Sequence, residues 1–241
     1  ALTTLWFWNT EVGWAEVHSV LKKNGWIYRS CNIWDKGIAH IAGNCNSKTM
    51  RKFPAVTEVC AHYIRKPEFF ISKDDALSAQ DWLRKEWKRA GLTLNQANIA
   101  CGVKNAASRK YLTNDHLWYF PPAEMFERLS NFANTYGNKE SAPYFTLNGN
   151  LISGSQWEQL RAKFYCPIGK TNVWNVPSLK GTERLKVDGK VAHPNQKPKT
   201  INDMLISCSS DKSDVIWEPF GGTCSASLSA KNLGRKYFAS E

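Results

Sequence analysis

"DVIWEPFGGTCSASLSAKNLGRKYFASE", Asp214 to Glu241, closes the sequence. Val215, Ile216 and Trp217 suit a buried strand, and they run into Pro219-Phe220-Gly221-Gly222. A Ser/Ala-rich helix is predicted from Ser225 to Leu233, with Gly234 as its C′ residue. A second apolar strand follows and ends in Glu241. Strand, glycine turn, helix, strand and acid make the first half of a nucleotide-binding βαβ unit. Gly221 and Gly222 carry no Cβ, so backbone can approach a ligand there. The helix start offers free N–H groups and the positive end of a dipole. Glu241 stands about twenty residues beyond the turn, where an acid can accept hydrogen bonds from a ribose. The glycines alone are equally well read as a structural turn; the acid at that distance favours a nucleoside-containing cofactor. Units of this kind usually open a domain, and this one comes at the end.

The remaining composition narrows the class. With 241 residues, 42% apolar content and 11 tryptophans, the chain can bury a core as one large domain or as one domain with an insertion. Lys+Arg number 32 against 21 Asp+Glu, a net charge of +11. A chain this basic meets a polyanion, nucleic acid first, or else carries a basic surface without a partner. Cys31, Cys45, Cys60, Cys101, Cys166, Cys208 and Cys224 are odd in number and form no CxxC pair. That spacing suits neither a metal site nor a disulfide framework, and it fits reduced thiols in the cytoplasm. No apolar run reaches the length of a membrane span. The opening "ALTTLWFWN" already reads as a strand, so chain is expected in front of Ala1.

Residues 1–73 read as α/β: a strand "TLWFWN", and a helix "AEVHSVLKKNG" with Val17, Val20 and Leu21 on one face and Gly25 as its stop. The strand "WIYRSCNIWDKG", a polar loop, and the strand "TEVCAHYIRK" stopped by Pro67 complete that part. Residues 74–165 change texture and are predicted to be a helical insert, with Trp82, Leu83, Trp87 and Leu92 spaced for burial. Within it, "LTLNQANIACGV" and "NAASRKYL" read as two helices around a turn at Gly102-Val103, the layout of a helix-turn-helix. A plain helical hairpin is the competing reading. The basic residues around the second helix favour DNA, with Lys104, Asn105, Ser108 and Arg109 nearest a groove. Arg109 is the base reader and Lys104 the phosphate contact. Residues 166–241 return to α/β.

"HPNQKP", His193 to Pro198, stands shortly before the glycine turn, its two prolines fixing a loop that presents Gln196 and Lys197. Together with "EPFGGTC", "GRKYFASE" and "KTNVW" at 170–174, it resembles the β-group of amino-methylating DNA methyltransferases, the N6-adenine and N4-cytosine enzymes. Their usual forms are HPTQKP, then DPFxGSGTT, then a strand ending in an acid. The resemblance covers residues 1–73 and 166–241. It implies a circularly permuted, Rossmann-like α/β fold in which the catalytic half comes first, a target-recognition insert next and the cofactor half last. That order explains the late glycine turn.

The resemblance further implies a site for S-adenosylmethionine built from His193, Gln196, Lys197, Glu218, Pro219, Phe220, Gly222, Thr223, Cys224, Ser225 and Glu241. Glu218 stands where the family has Asp, Cys224 replaces its second Gly, and Ser225 replaces Thr. Duplex DNA is the implied partner, and methyl transfer to a flipped base the implied reaction, adenine favoured over cytosine. The family's catalytic tetrapeptide, a polar residue followed by Pro-Pro and an aromatic, is expected upstream of Ala1. "FPPA" at Phe120–Ala123 is no substitute, because Phe120 accepts no side-chain hydrogen bond and Ala123 cannot stack. A non-catalytic helix-turn-helix regulator and a nicotinamide-dependent oxidoreductase are the alternative readings. The first has no use for a cofactor unit, and the second explains neither "HPNQKP" nor the charge.

Overall fold

The structure is a computed structural model that describes residues 3–41, 49–70 and 76–241; Cys45, the middle of the expected polar loop and the expected boundary at residue 73 lie outside the described residues. The chain forms two compact units, one of residues 65–162 and one of residues 2–64 with 163–241.

The second unit begins with β1 (Thr4–Asn9), α1 (Glu11–Lys23), β2 (Trp26–Asp35), a 3-10 turn at Ile38–His40, and β3 (Thr57–Arg65). Thr10 ends β1 and starts α1, its hydroxyl accepting from the Gly13 N–H at 3.2 Å. Glu11 in the first turn and Lys22 and Lys23 in the last complement the helix dipole. β3 runs antiparallel to β1, with His62 opposite Trp6. Alternation along β3 sends Val59, Ala61 and Tyr63 to one face, where Trp14 and Leu21 of α1 pack. Cys60 faces the other side with Trp34. The face of α1 differs from the expected one: Val20 is 54% exposed. Trp14 takes its place, because its indole N–H also donates to the buried Tyr63 hydroxyl at 2.7 Å.

The unit of residues 65–162 holds a short hairpin, β4 (Glu68–Phe70) with β5 (Ala76–Ser78), then α2 (Ala79–Arg89), α3 (Leu94–Cys101), α4 (Ala106–Tyr111) and α5 (Ala123–Tyr136). A second hairpin, β6 (Thr146–Leu147) with β7 (Asn150–Leu151), and α6 (Gly154–Glu158) complete it. The sequences T-x-x-Q and S-x-x-Q act as capping boxes for α3 and α6, Gln96 accepting from the Thr93 N–H at 2.8 Å and Gln156 from the Ser153 N–H at 2.9 Å. Trp82, Leu83 and Trp87 are buried with Phe126, Leu129 and Trp157, and Leu92 packs against them half-buried. Glu86 is buried too, and its charge is satisfied: it receives two bonds from Arg89, at 2.9 and 2.6 Å, and the Phe145 N–H at 2.8 Å. The Pro121 carbonyl accepts from the Trp157 indole at 2.8 Å, which makes the Pro-Pro pair part of this core.

The chain then returns with β8 (Val173–Asn175), a hairpin of β9 (Lys186–Val187) and β10 (Lys190–Val191), α7 (Lys199–Ser209), β11 (Val215–Glu218), α8 (Ser225–Asn232) and β12 (Lys236–Ala239). β8 joins β2 in parallel, giving a mixed four-stranded sheet of order β1-β3-β2-β8. Ile201 and Leu205 of α7 cover its Trp34–Cys60–Trp174 face. β11 and β12 are parallel, and among the described residues they pair only with each other. This corrects the expectation of a buried β11. Trp217 is 52% exposed and Val215 is exposed as well, because a two-stranded sheet covers less of its own surface than an inner position would.

Candidate functional site

The glycine turn between β11 and α8 is built by its own neighbours. The Gly221 N–H donates to the Ser240 carbonyl at 2.8 Å and the Ser240 hydroxyl to the Pro219 carbonyl at 2.9 Å, tying the turn to the end of β12. Gly222 adopts φ 54°, a left-handed conformation. A Cβ there would lie 3.1–3.2 Å from the His193 ring. Glu241 folds back onto the turn, accepting from the Gly222 N–H at 2.6 Å, while its other oxygen stands 3.9 Å from His193 Nε2. His193 Nδ1 accepts from the Asn195 N–H at 3.2 Å. The fold thus brings His193, Gly222 and Glu241 into one cluster.

Glu218 is placed differently from expectation. Its carboxylate accepts from the Ala226 and Ser227 N–H groups at 3.2 and 2.8 Å and from the Ser227 hydroxyl at 2.7 Å. The helix-start donors expected to be open to a ligand are therefore satisfied by an acid at the strand end, where the dipole favours it. Cys224 occupies φ 52°, ψ 37°, a conformation in which a Cβ is strained. Thr223 Oγ1 is buried and has no hydrogen-bond partner among the described residues. Phe220 is 91% exposed beside it. The Ser225 hydroxyl accepts from Nδ2 of Asn202, a buried residue of α7 that sequence reading did not single out, at 3.1 Å.

Two members of the "HPNQKP" loop are engaged within the protein. Gln196 bridges backbone on the loop before β9, its amide accepting from the Leu185 N–H at 3.0 Å and donating to the Glu183 carbonyl at 2.9 Å. Lys197 pairs with Glu58 at 2.6 Å, and Lys36 meets the other oxygen of Glu58 at 2.6 Å. Both ammonium groups also lie over indole rings, Lys197 5.1 Å from the Trp8 centroid and Lys36 4.9 Å from that of Trp34. Burial alone would raise the Glu58 carboxyl, yet the hydrogen bonds from Lys197 and Lys36 outweigh it and hold it below the ordinary carboxylate range. Sequence reading missed Glu58 and Lys36. Lys36 follows β2 and Glu58 opens β3, and only the antiparallel return of β3 sets them at one sheet end.

In the unit of residues 65–162, Gly102 closes α3 at φ 69° and leads through Lys104 and Asn105 into α4. Lys104, Asn105 and Arg109 are exposed. Ser108 turns inward: its N–H donates to Asn98 Oδ1 at 3.0 Å and its hydroxyl accepts from Asn98 Nδ2 at 3.1 Å. Ala97, Ala107 and Leu112 are buried between the helices. Among the described residues no group of acids, histidines and cysteines could hold a metal, and no helix is long and apolar enough to cross a membrane.

Mixed α/β architecture with a glycine-turn βαβ unit, latched by the acid that ends its second strand, is the class these elements define. The chain belongs to the DNA methylase family of N6- and N4-methyltransferases, whose model matches residues 4–241. A stretch of 71 residues is 41% identical to the Type II methyltransferase M.HinfI of Haemophilus influenzae, covering 29% of this chain and 20% of that protein. Another of 82 residues is 35% identical to the Type II methyltransferase M.ScaI of Streptomyces caespitosus, covering 32% and 27%. The matched stretches thus span under a third of either relative. The solved structure of the M1.HpyAVI-SAM complex aligns over 98% of this chain and 66% of its own, at 12% identity and a TM-score of 0.48.

Proposed function

We propose that the protein transfers a methyl group from S-adenosylmethionine to an exocyclic amino group of duplex DNA, N6 of adenine in preference to N4 of cytosine, with the target base flipped out of the helix. The observation that carries this reading is the convergence of His193, Gly222 and Glu241 on one side of a glycine turn. The residues there fit such a cofactor. Gly222 lets the His193 ring close against the turn, the unpartnered Thr223 hydroxyl can donate or accept, and the exposed Phe220 ring is an apolar plane beside it. When bound, the cofactor supplies a methyl group already activated on a sulfonium sulfur.

In this reading Glu241 accepts from a ribose hydroxyl and His193 walls the turn opposite it. Glu218 acts through α8, fixing the helix start rather than the ligand. Little proton movement is required of the protein, so positioning dominates the rate. Residues 1–73 and 166–241 form the catalytic and cofactor halves in permuted order, and residues 74–165 the target-recognition insert. There Arg109 reads a base edge while Lys104 and Asn105 face the backbone.

Calorimetric titration with S-adenosylmethionine and with a nicotinamide dinucleotide tests the cofactor, and the expected result is binding of the first alone. Binding of the dinucleotide alone would favour the oxidoreductase reading, and duplex binding with neither cofactor would favour a regulator. The base identified in a methylated product decides between adenine and cytosine.

A further inference from the structure

We propose that the β9–β10 hairpin is a DNA contact in its own right, a ribbon that enters the major groove tip-first with Lys186 and Lys190 reaching phosphates on opposite walls. The proposal rests on the reading of duplex DNA as substrate. Its basis is local. Asp188 and Gly189 adopt φ 51° and 75°, so two residues of positive φ turn the chain, the arrangement that matches the twist of paired strands. Lys186 pairs with Val191 and Lys190 with Val187. Cross-strand partners share a face, so each face of the ribbon carries one lysine and one valine.

Both lysines are exposed, and among the described residues no ion pair engages either. Part of the neighbouring basic charge is neutralised within the protein, since Lys163 pairs with Asp211 and Asp214, Lys197 with Glu58, and Lys199 with Asp203. Two lysines against the one exposed acid at the tip, Asp188, leave the hairpin net positive for an outside anion, and the apolar area on either face is one valine, too little for a protein partner.

An isolated two-stranded hairpin is marginal in water. This one is fastened at its base. Gln196 bonds the Leu185 N–H and the Glu183 carbonyl, the Ala192 N–H donates to the Leu185 carbonyl at 2.9 Å, and Arg184 donates to the Pro194 carbonyl at 2.8 Å. These bonds mount the ribbon on the "HPNQKP" loop and give Gln196 a structural task. A preformed mount reduces the ordering cost of binding. The major groove, about 12 Å wide, admits a two-stranded ribbon as it stands, whereas the minor groove, about 6 Å wide, would have to open to take one.

Fluorescence anisotropy with the intact protein and a duplex, across a salt series, tests the proposal. Lys186→Ala and Lys190→Ala should each flatten the slope of log K against log salt by about 0.9, and the double variant by about twice that. Lys22→Ala on α1 should leave it unchanged, and Lys186→Arg should restore it. Unchanged S-adenosylmethionine binding by the double variant shows that its fold is intact. Protection of guanine N7 from dimethyl sulfate by wild type, lost in the double variant, supports groove entry. A wild-type slope in the double variant, or unaltered N7 protection, overturns the proposal. Wild type that binds no duplex at any salt overturns the DNA reading itself.

Discussion

Cys224 is held at φ 52°, where a side chain is disfavoured by about 1–2 kcal/mol and glycine is not. Cys224→Gly is expected to recover about 1 kcal/mol in urea unfolding after the added chain entropy is offset; an equal or lower midpoint would mean that the thiol contributes packing of its own. His62 presents the opposite situation, a polar ring 3% exposed and stacked on Trp6 at 4.2 Å. Its Nε2 has no partner among the described residues. Burial, with a smaller push from the Arg29 charge, lowers its pKa from 6.5 to about 4. Above pH 6.5 both folded and unfolded chains carry it neutral. As pH falls from 6.5 towards 4, the unfolded chain takes up a proton that the native ring refuses, so stability drops, by roughly 3 kcal/mol at most, and levels off below. His62→Phe keeps the stack and should flatten the stability profile over that window. An unflattened profile would assign the acid loss to other groups.

At the level of elements, Glu58 joins the start of β3 to the residue after β2 and to the loop before α7. Removing its charge strands two half-buried ammonium groups. Glu58→Gln should cost about 3 kcal/mol, the scale of breaking a buried pair, and lower Tm by roughly 6–12 °C for a chain of this size. The same pair fixes a pH dependence: the Glu58 carboxyl is lowered in the fold, so its contribution is present above the ordinary carboxylate range and is lost as pH falls through the lowered value. In the α3–α4 hairpin, the inward Ser108 and the outward Arg109 should separate cleanly. Ser108→Ala breaks the bond to Asn98 and is expected to cost about 1 kcal/mol of stability without touching DNA affinity. Arg109→Ala should leave stability intact and cost about 1–3 kcal/mol on the cognate duplex while relaxing sequence preference. Duplex titration of both variants beside their thermal melts tests the pair, and DNA loss confined to Ser108→Ala would reverse the assignment.

For the whole molecule, the unit of residues 65–162 closes a core of Trp82, Leu83, Trp87, Phe126, Leu129 and Trp157 on itself. Expressed alone, it should keep its helical circular dichroism and melt cooperatively; a non-cooperative melt would show that its core needs the rest of the chain. What the sequence by itself determined is what near neighbours decide. Thr10, Thr93 with Gln96, and Ser153 with Gln156 start helices, Gly102 and Gly234 end them, and Glu241 reaches back to the Gly222 N–H, because each depends on bonds within a turn or one βαβ unit. Tertiary structure alone decided the rest. Lys197 meets Glu58 across 139 residues, because the loop before α7 lies at the sheet end where β3 begins. Gln196 serves the β9–β10 hairpin, Glu218 the start of α8, and Trp217 stays half-open on a two-stranded sheet. Alternation and charge in a sequence define faces and donors, but which face is covered and which donor is taken follow from strands and loops that pair over long separations.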